Sequence, residues 1–126
     1  MRTVLIVDDD FDFLEQLDMM LSSEFEVIKA GSQKDAEALL KNQKPDLAVI
    51  DLMMENTDGG FALSYHIKKL YPSVPVIMVT SVVSETGIDF MGSSKDQKEW
   101  IKADAMLAKP IRFEQLKKEI DRLLDD

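Results

Sequence analysis

At 126 residues, with 45% hydrophobic and 31% charged side chains, the chain has the size and composition of one globular domain able to bury its own core. It contains no cysteine, which excludes a disulfide framework, a thiolate metal site and a cysteine nucleophile, and no apolar run reaches membrane-spanning length. A net charge of −9 opposes general binding to nucleic-acid phosphates and requires that any pocket crowded with carboxylates take in a cation.

Met1-Arg2 leads directly into an apolar, β-branched run, Thr3 to Val7, with no visible signal peptide, so a cytoplasmic location is expected. That run predicts a strand, and it ends in Asp8-Asp9-Asp10. From Phe11 to Ser22 the spacing of Leu14, Leu17 and Leu21 predicts a helix, with an aspartate able to cap its first turn. Phe25 to Lys29 reads as a short strand, Gly31-Ser32 as a turn and cap, and Asp35 to Lys41 as a helix carrying Ala36, Leu39 and Leu40.

Leu47 to Ile50 is an unbroken apolar run bounded by Lys44-Pro45 and Asp51, the pattern of a strand buried on both faces. Asp58-Gly59-Gly60 hands the chain to a helix over Phe61 to Tyr71, ended by Pro72. Val74 to Val79 and Ala105 to Ala108 predict the fourth and fifth strands, which close on Thr80-Ser81 and Lys109-Pro110. Arg112 to Leu124 predicts an amphipathic helix through Phe113, Leu116, Ile120 and Leu123. A further helix is expected to begin near Ser93 or Ser94 and to include Trp100. Strand and helix alternating five times predict an α/β fold of the flavodoxin-like (βα)5 kind, a three-layer sandwich around a parallel five-stranded sheet of order 2-1-3-4-5.

The residues that close the strands carry the chemistry: Asp8 and Asp9, then Asp51, then Thr80 and Ser81, then Lys109. The order 2-1-3-4-5 sets the first and third strands side by side at the switch point, so Asp9 and Asp51, 42 positions apart, would face each other across a crevice. Each of these residues has a plain structural reading, as a cap, a turn or a solvated strand end. Together they fall on one edge of the sheet. Clustered carboxylates repel by roughly 1 to 4 kcal/mol per pair, and oxygen-only ligation with open positions suits Mg²⁺, with Mn²⁺ as a substitute. A hydroxyl and a lysine opposite supply what a transferring phosphoryl group needs, and Asp51 would be the nucleophile forming an acyl phosphate.

VLIVDDD, DLMM followed by DGG, a threonine with a small residue after the fourth strand, and Lys-Pro after the fifth resemble the receiver domain of two-component response regulators, in that family's order and across the whole chain. The resemblance implies that Asp51 accepts a phosphoryl group from a histidine kinase or a histidine phosphotransfer protein. It implies that Asp9, Asp51 and the Met53 carbonyl bind Mg²⁺, with Asp8 acting largely through water. Thr80, the Ser81 amide and Lys109 would hold the phosphoryl oxygens, and the Lys109-Pro110 peptide would be cis, as proline permits. The output would be a contact with a protein target, a further relay, or a change from monomer to weak phosphorylation-dependent dimer, without direct nucleic-acid or membrane binding. The expected domain is 1–126, with an extended region around 81–99.

The chain also departs from the family's pattern. Glu55 and Thr57 replace a usual proline and methionine, Lys102 a common glycine, and Met106 stands at the usual aromatic switch position, which puts its coupling to Thr80 in question. Thr80 to Lys109 spans 29 positions, longer than usual by about seven residues, or two helical turns. The Ser81–Glu99 stretch reads either as a mobile surface loop or as a docking element anchored by Ile88, Phe90 and Met91. Met53 and Val82, both apolar, cannot orient a water, so slow autodephosphorylation is expected. His66, without ligand companions in the sequence, reads as a surface or boundary residue, Trp100 as packed or interfacial, and most of the eight methionines as core filler.

Three other readings compete with this one. A phosphatase of the haloacid-dehalogenase type needs a second aspartate where Met53 stands. A flavodoxin needs a hydroxyl-rich loop where five residues, DDDFD, would repel phosphate. A degenerate receiver acting as a phosphorylation-independent binding module is opposed by the intact Asp9, Asp51, Thr80 and Lys109.

Overall fold

Asp46 and Thr3 exchange two hydrogen bonds at the amino ends of neighbouring strands, Asp46 N–H to the Thr3 carbonyl and Thr3 N–H to Asp46 Oδ2, both 2.7 Å. This pins the start of β3 (Leu47–Asp51) beside the start of β1 (Thr3–Val7). The computed structural model describes residues 2–51, 59–80, 104–108 and 111–124. Within them, β2 (Glu26–Ala30), β4 (Val76–Thr80) and β5 (Ala105–Ala108) complete one parallel sheet of order β2-β1-β3-β4-β5. Four helices are described: α1 (Phe11–Leu21), α2 (Gln33–Leu40), α3 (Gly59–Leu70) and α4 (Phe113–Leu124). The helix expected near Trp100 lies outside the described residues.

Side-chain alternation along the strands sorts the core into two slabs. Leu5, Val7, Ala48, Ile50, Val76, Met78 and Met106 pack toward α2 and α3. Val4, Ile6, Leu47, Val49, Ile77, Val79 and Leu107 pack toward α1 and α4. The three central strands are therefore apolar on both faces, which is why their sequences run without polar interruption. β2, at one edge, exposes Glu26 and Lys29, charges that discourage further pairing there.

The helices bury most of the stripes their spacing predicts, while Leu70, expected on the buried face of α3, is exposed and Leu39, Phe113 and Leu123 are only partly buried. Leu14, Leu17 and Leu21 of α1, Leu63 and Ile67 of α3, and Leu116 and Ile120 of α4 are all buried. Full burial of such a side chain is worth about 1.5–3 kcal/mol, so these stripes dominate helix docking. Asp10 caps α1, its Oδ1 accepting the Asp12 and Phe13 amides at 3.0 and 3.4 Å, and Ser32 caps α2 by accepting the Asp35 amide at 3.1 Å.

Boundaries differ from the sequence reading where a residue's main chain is engaged in a turn. Phe25 was expected to open β2, but its amide donates to the Leu21 carbonyl at 2.8 Å while its ring is buried beneath α1. Val74 was expected to open β4, but its amide closes a turn onto the Tyr71 carbonyl at 3.0 Å, and Pro75 has no N–H for a ladder. At the other end, β4 extends through Thr80, and α3 begins at Gly59, two residues earlier than expected.

Candidate functional site

The parallel register sets the carboxyl ends of β1, β3 and β4 level with one another. Val7 pairs with both Ala30 and Ile50, Asp51 with Val79, and Thr80 with Ala108. The residues that end or follow these strands therefore meet at one edge of the sheet, as expected for the switch point of this topology.

The three consecutive aspartates have three different environments. Asp8 continues β1 by one hydrogen bond, its amide donating to the Ala30 carbonyl at 3.2 Å, and its side chain is only 1% exposed. Asp8 Oδ1 in turn accepts the Asp10 amide at 2.9 Å, which holds the carboxylate in the turn before α1. Asp9 is exposed, and Asp10 spends its side chain on the cap of α1. The plain reading of a cap with solvated neighbours thus fits Asp10 and the exposure of Asp9, but not buried Asp8.

Asp51 closes β3 and is 6% exposed. One ligand oxygen from each of Asp8, Asp9 and Asp51 lies within 4.8 Å of the others. Two of the three acids are buried, so water screens their repulsion poorly. Such a set fits a hard divalent cation of Mg²⁺ type, which takes one or two carboxylates and leaves positions for water and phosphate.

Thr80 ends β4 at 1% exposure, on a strand adjacent to that of Asp51. Met106, 8% exposed, pairs with Met78 in the slab that faces α2 and α3. Thr80 follows Met78 by two positions, so strand alternation points it to the same face as Met106. Lys109, Ser81 and Met53 lie outside the described residues. So do Glu55, Thr57, Val82, Lys102, Trp100 and the Ser81–Glu99 stretch with Ile88, Phe90 and Met91.

His66 is half-buried on α3 and takes no part in the acidic cluster. Of the methionines described, Met78 and Met106 fill the core as expected, Met20 is partly buried, and Met19 is 81% exposed. The sequence reading passed over Lys68 and Asp104. These join α3 to the start of β5 by a 2.6 Å ion pair and have no local motif, being 36 positions apart.

Comparison with known proteins agrees with this geometry. The chain belongs to the response regulator receiver domain family, whose model matches residues 4–121. It is similar to protein PilH of Pseudomonas aeruginosa, with 33% identity over 98% of this chain and 98% of PilH. It is 38% identical to the transcriptional regulatory protein GlrR of Escherichia coli over 62% of this chain, yet spans only 18% of GlrR's length. Among solved structures, a CheY-like response regulator receiver domain protein from Methanospirillum hungatei superposes with a TM-score of 0.81 at 27% identity, covering 99% of this chain and 94% of that one. Receiver domains are signalling switches of two-component systems rather than classical enzymes. Among the described residues, no helix is long and apolar enough to cross a membrane.

Proposed function

We propose that the chain is a single receiver domain that accepts a phosphoryl group on Asp51 from a phosphohistidine of a kinase or phosphotransfer protein. The observation that carries this is the convergence of Asp8, Asp9 and Asp51 within 4.8 Å at the carboxyl ends of adjacent strands, with buried Thr80 on the next strand. Asp8, Asp9 and Asp51 would hold Mg²⁺, which when bound neutralises charge on the transferring phosphoryl oxygens.

An oxygen of the Asp51 carboxylate attacks phosphorus in line with the leaving imidazole. The P–N bond breaks as the P–O bond of the acyl phosphate forms, and the ring departs as neutral imidazole because its other nitrogen already carries a proton. Burial of Asp51 keeps bulk water from competing for phosphorus. Thr80 offers its hydroxyl as a donor to a phosphoryl oxygen, and Lys109, with the Ser81 amide, adds positive charge and a further donor. The change in charge and hydrogen bonding at Thr80 is then passed toward Met106 and on to a protein target.

The test is intact mass after incubation with Mg²⁺ and acetyl phosphate, beside Asp51→Asn. One added phosphoryl group that needs Mg²⁺ and is lost in the variant is expected. An adduct of the same yield on Asp51→Asn would overturn the assignment of Asp51. A chain that binds Mg²⁺ yet takes no phosphoryl group from either acetyl phosphate or a phosphorylated kinase would instead be a phosphorylation-independent binding module.

A further inference from the structure

β5 is the shortest strand described, and it lies at the edge of the sheet, paired along one side to β4. Its sequence, Ala-Met-Leu-Ala, specifies register weakly. Met106 faces one slab of the core and Leu107 the other, so a shift by one residue would exchange two apolar side chains of similar size. Register in a sheet is ordinarily fixed by an alternating pattern or by a tight turn, and β5 has no such alternation. Something at its ends must fix it.

Asp104 does so at the amino end. Its amide donates to the Val76 carbonyl at 2.8 Å, and its Oδ2 accepts the Val76 amide, also at 2.8 Å. The carboxylate thus stands where a strand's next carbonyl would be, and it extends the β4–β5 ladder by one pair. Lys68 of α3 then donates to the same Oδ2 at 2.6 Å and to the Val74 carbonyl at 2.8 Å. One ammonium ties together α3, the turn before β4 and the residue before β5.

At the carboxyl end of β5, Ala108 pairs with Thr80, and Lys109 is the next residue in the chain. Whatever fixes the start of β5 therefore fixes the point at which the chain reaches Lys109, and it fixes the Met106–Met78 contact too.

We propose that Lys68 and Asp104 form a register clamp for β5 and act as positioning residues for phosphoryl transfer from the opposite end of the sheet. This rests on the phosphoacceptor reading of Asp51. The metal ligands proposed above lie at the carboxyl ends of β1 and β3, neither of which pairs with β5, so removing the clamp is expected to affect transfer and leave ion binding alone.

The full chain would be compared with Asp104→Ala, Asp104→Asn, Lys68→Met and Lys68→Arg. In Asp104→Ala, exchange of the β5 amides is expected to quicken about tenfold or more, since local opening there no longer breaks the clamp. Phosphorylation by acetyl phosphate at saturating Mg²⁺ slows about tenfold or more, because small misplacements far from the chemistry carry costs of that order. Mg²⁺ affinity stays within about twofold, as expected for sites without shared partners. Lys68→Met follows the same direction and serves if Asp104→Ala does not fold, while Lys68→Arg and Asp104→Asn, which keep an acceptor or a donor in place, recover most of the rate.

Unchanged β5 exchange in both Asp104→Ala and Lys68→Met would overturn the clamp. So would a loss of Mg²⁺ affinity in parallel with rate, the signature of general loosening. A wild-type chain that takes no phosphoryl group would refute the Asp51 reading instead, and the exchange measurements would still decide whether the clamp exists.

Discussion

At the amino ends of the strands, Asp46 accepts the Thr3 amide, and Asp104 accepts the Val76 amide together with the Lys68 ammonium. At the carboxyl ends of the same sheet, Asp8, Asp9 and Asp51 instead bring their oxygens within 4.8 Å of one another. The residue type is the same, and β1 and β3 meet an aspartate at both ends. At one end each carboxylate is set apart from the others and accepts from a donor of the neighbouring strand, whereas at the other three carboxylates converge, and their mutual repulsion opposes the hydrogen bonds that hold them, such as that from the Asp10 amide to Asp8. One edge holds the strands in register, and the other gathers like charges that a bound cation would neutralise.

The sharpest way to break this comparison is Asp9→Asn. Removing one of three clustered charges is expected to weaken Mg²⁺ binding about tenfold or more, since such ions rely on one or two carboxylates. The same change is expected to raise metal-free stability by about 1 kcal/mol, the repulsion of an exposed charge at this separation. Mg²⁺ titration and metal-free thermal unfolding check the two halves. A variant that loses both affinity and stability would mean that Asp9 is a structural acid like those at the amino edge. Asp10→Ala, one residue further on, is expected to do the reverse. It costs about 1 kcal/mol as a lost helix cap and leaves Mg²⁺ affinity nearly unchanged. Urea denaturation beside the same titration tests it.

The carboxyl edge was legible in the sequence and the amino edge was not, and the reason lies in burial. Leu47 to Ile50 and Thr3 to Val7 are apolar on both faces because both faces are covered, so the runs declare the central strands and the aspartates that end them. Sequence order alone did not say which of Asp8, Asp9 and Asp10 caps α1, because any of the three could reach an amide, and only the turn geometry commits Asp10. Phe25 and Val74 misled for the opposite reason. An apolar side chain can be buried from a turn as well as from a strand, and only the amide hydrogen bonds to Leu21 and Tyr71 distinguish the two. Gly59 lay hidden as the start of α3 because glycine is a poor helix former. Asp104 and Lys68 gave no signal at all, since an ion pair across 36 positions has no period.

Asp46→Ala probes the stabilising edge by itself. It removes the acceptor of the Thr3 amide, an exposed hydrogen bond to a charged group, and is expected to cost about 0.5–1 kcal/mol by urea denaturation. Mg²⁺ affinity and phosphorylation should match wild type. A fall in either would show that the two edges are mechanically coupled through β1 and β3.

The smallest expected effect lies on β2, away from both edges. Lys29 Nζ meets Glu15 Oε1 at 2.9 Å and Asp18 Oδ2 at 3.0 Å on α1. Hydrogen bonds that it donates to Glu15 and then to Asp18 hold the ammonium above its ordinary pKa near 10.5. A cation whose pKa is raised by folding contributes stability that is fully present below the unfolded value and is lost as pH rises through the folded one. Lys29→Met is therefore expected to lower stability below about pH 10.5 and to flatten the decline above it relative to wild type. Because the pair is solvent-exposed, the difference should be small and should shrink further in high salt. Urea midpoints at pH 8 and pH 11, each at low and high ionic strength, would measure it, with pH 8 below the lysine's ordinary range. A Lys29→Met deficit that persists undiminished at pH 11 and in high salt would mean that the lysine's methylene stem packing on α1, rather than its charge, is what fastens this edge strand to the helix.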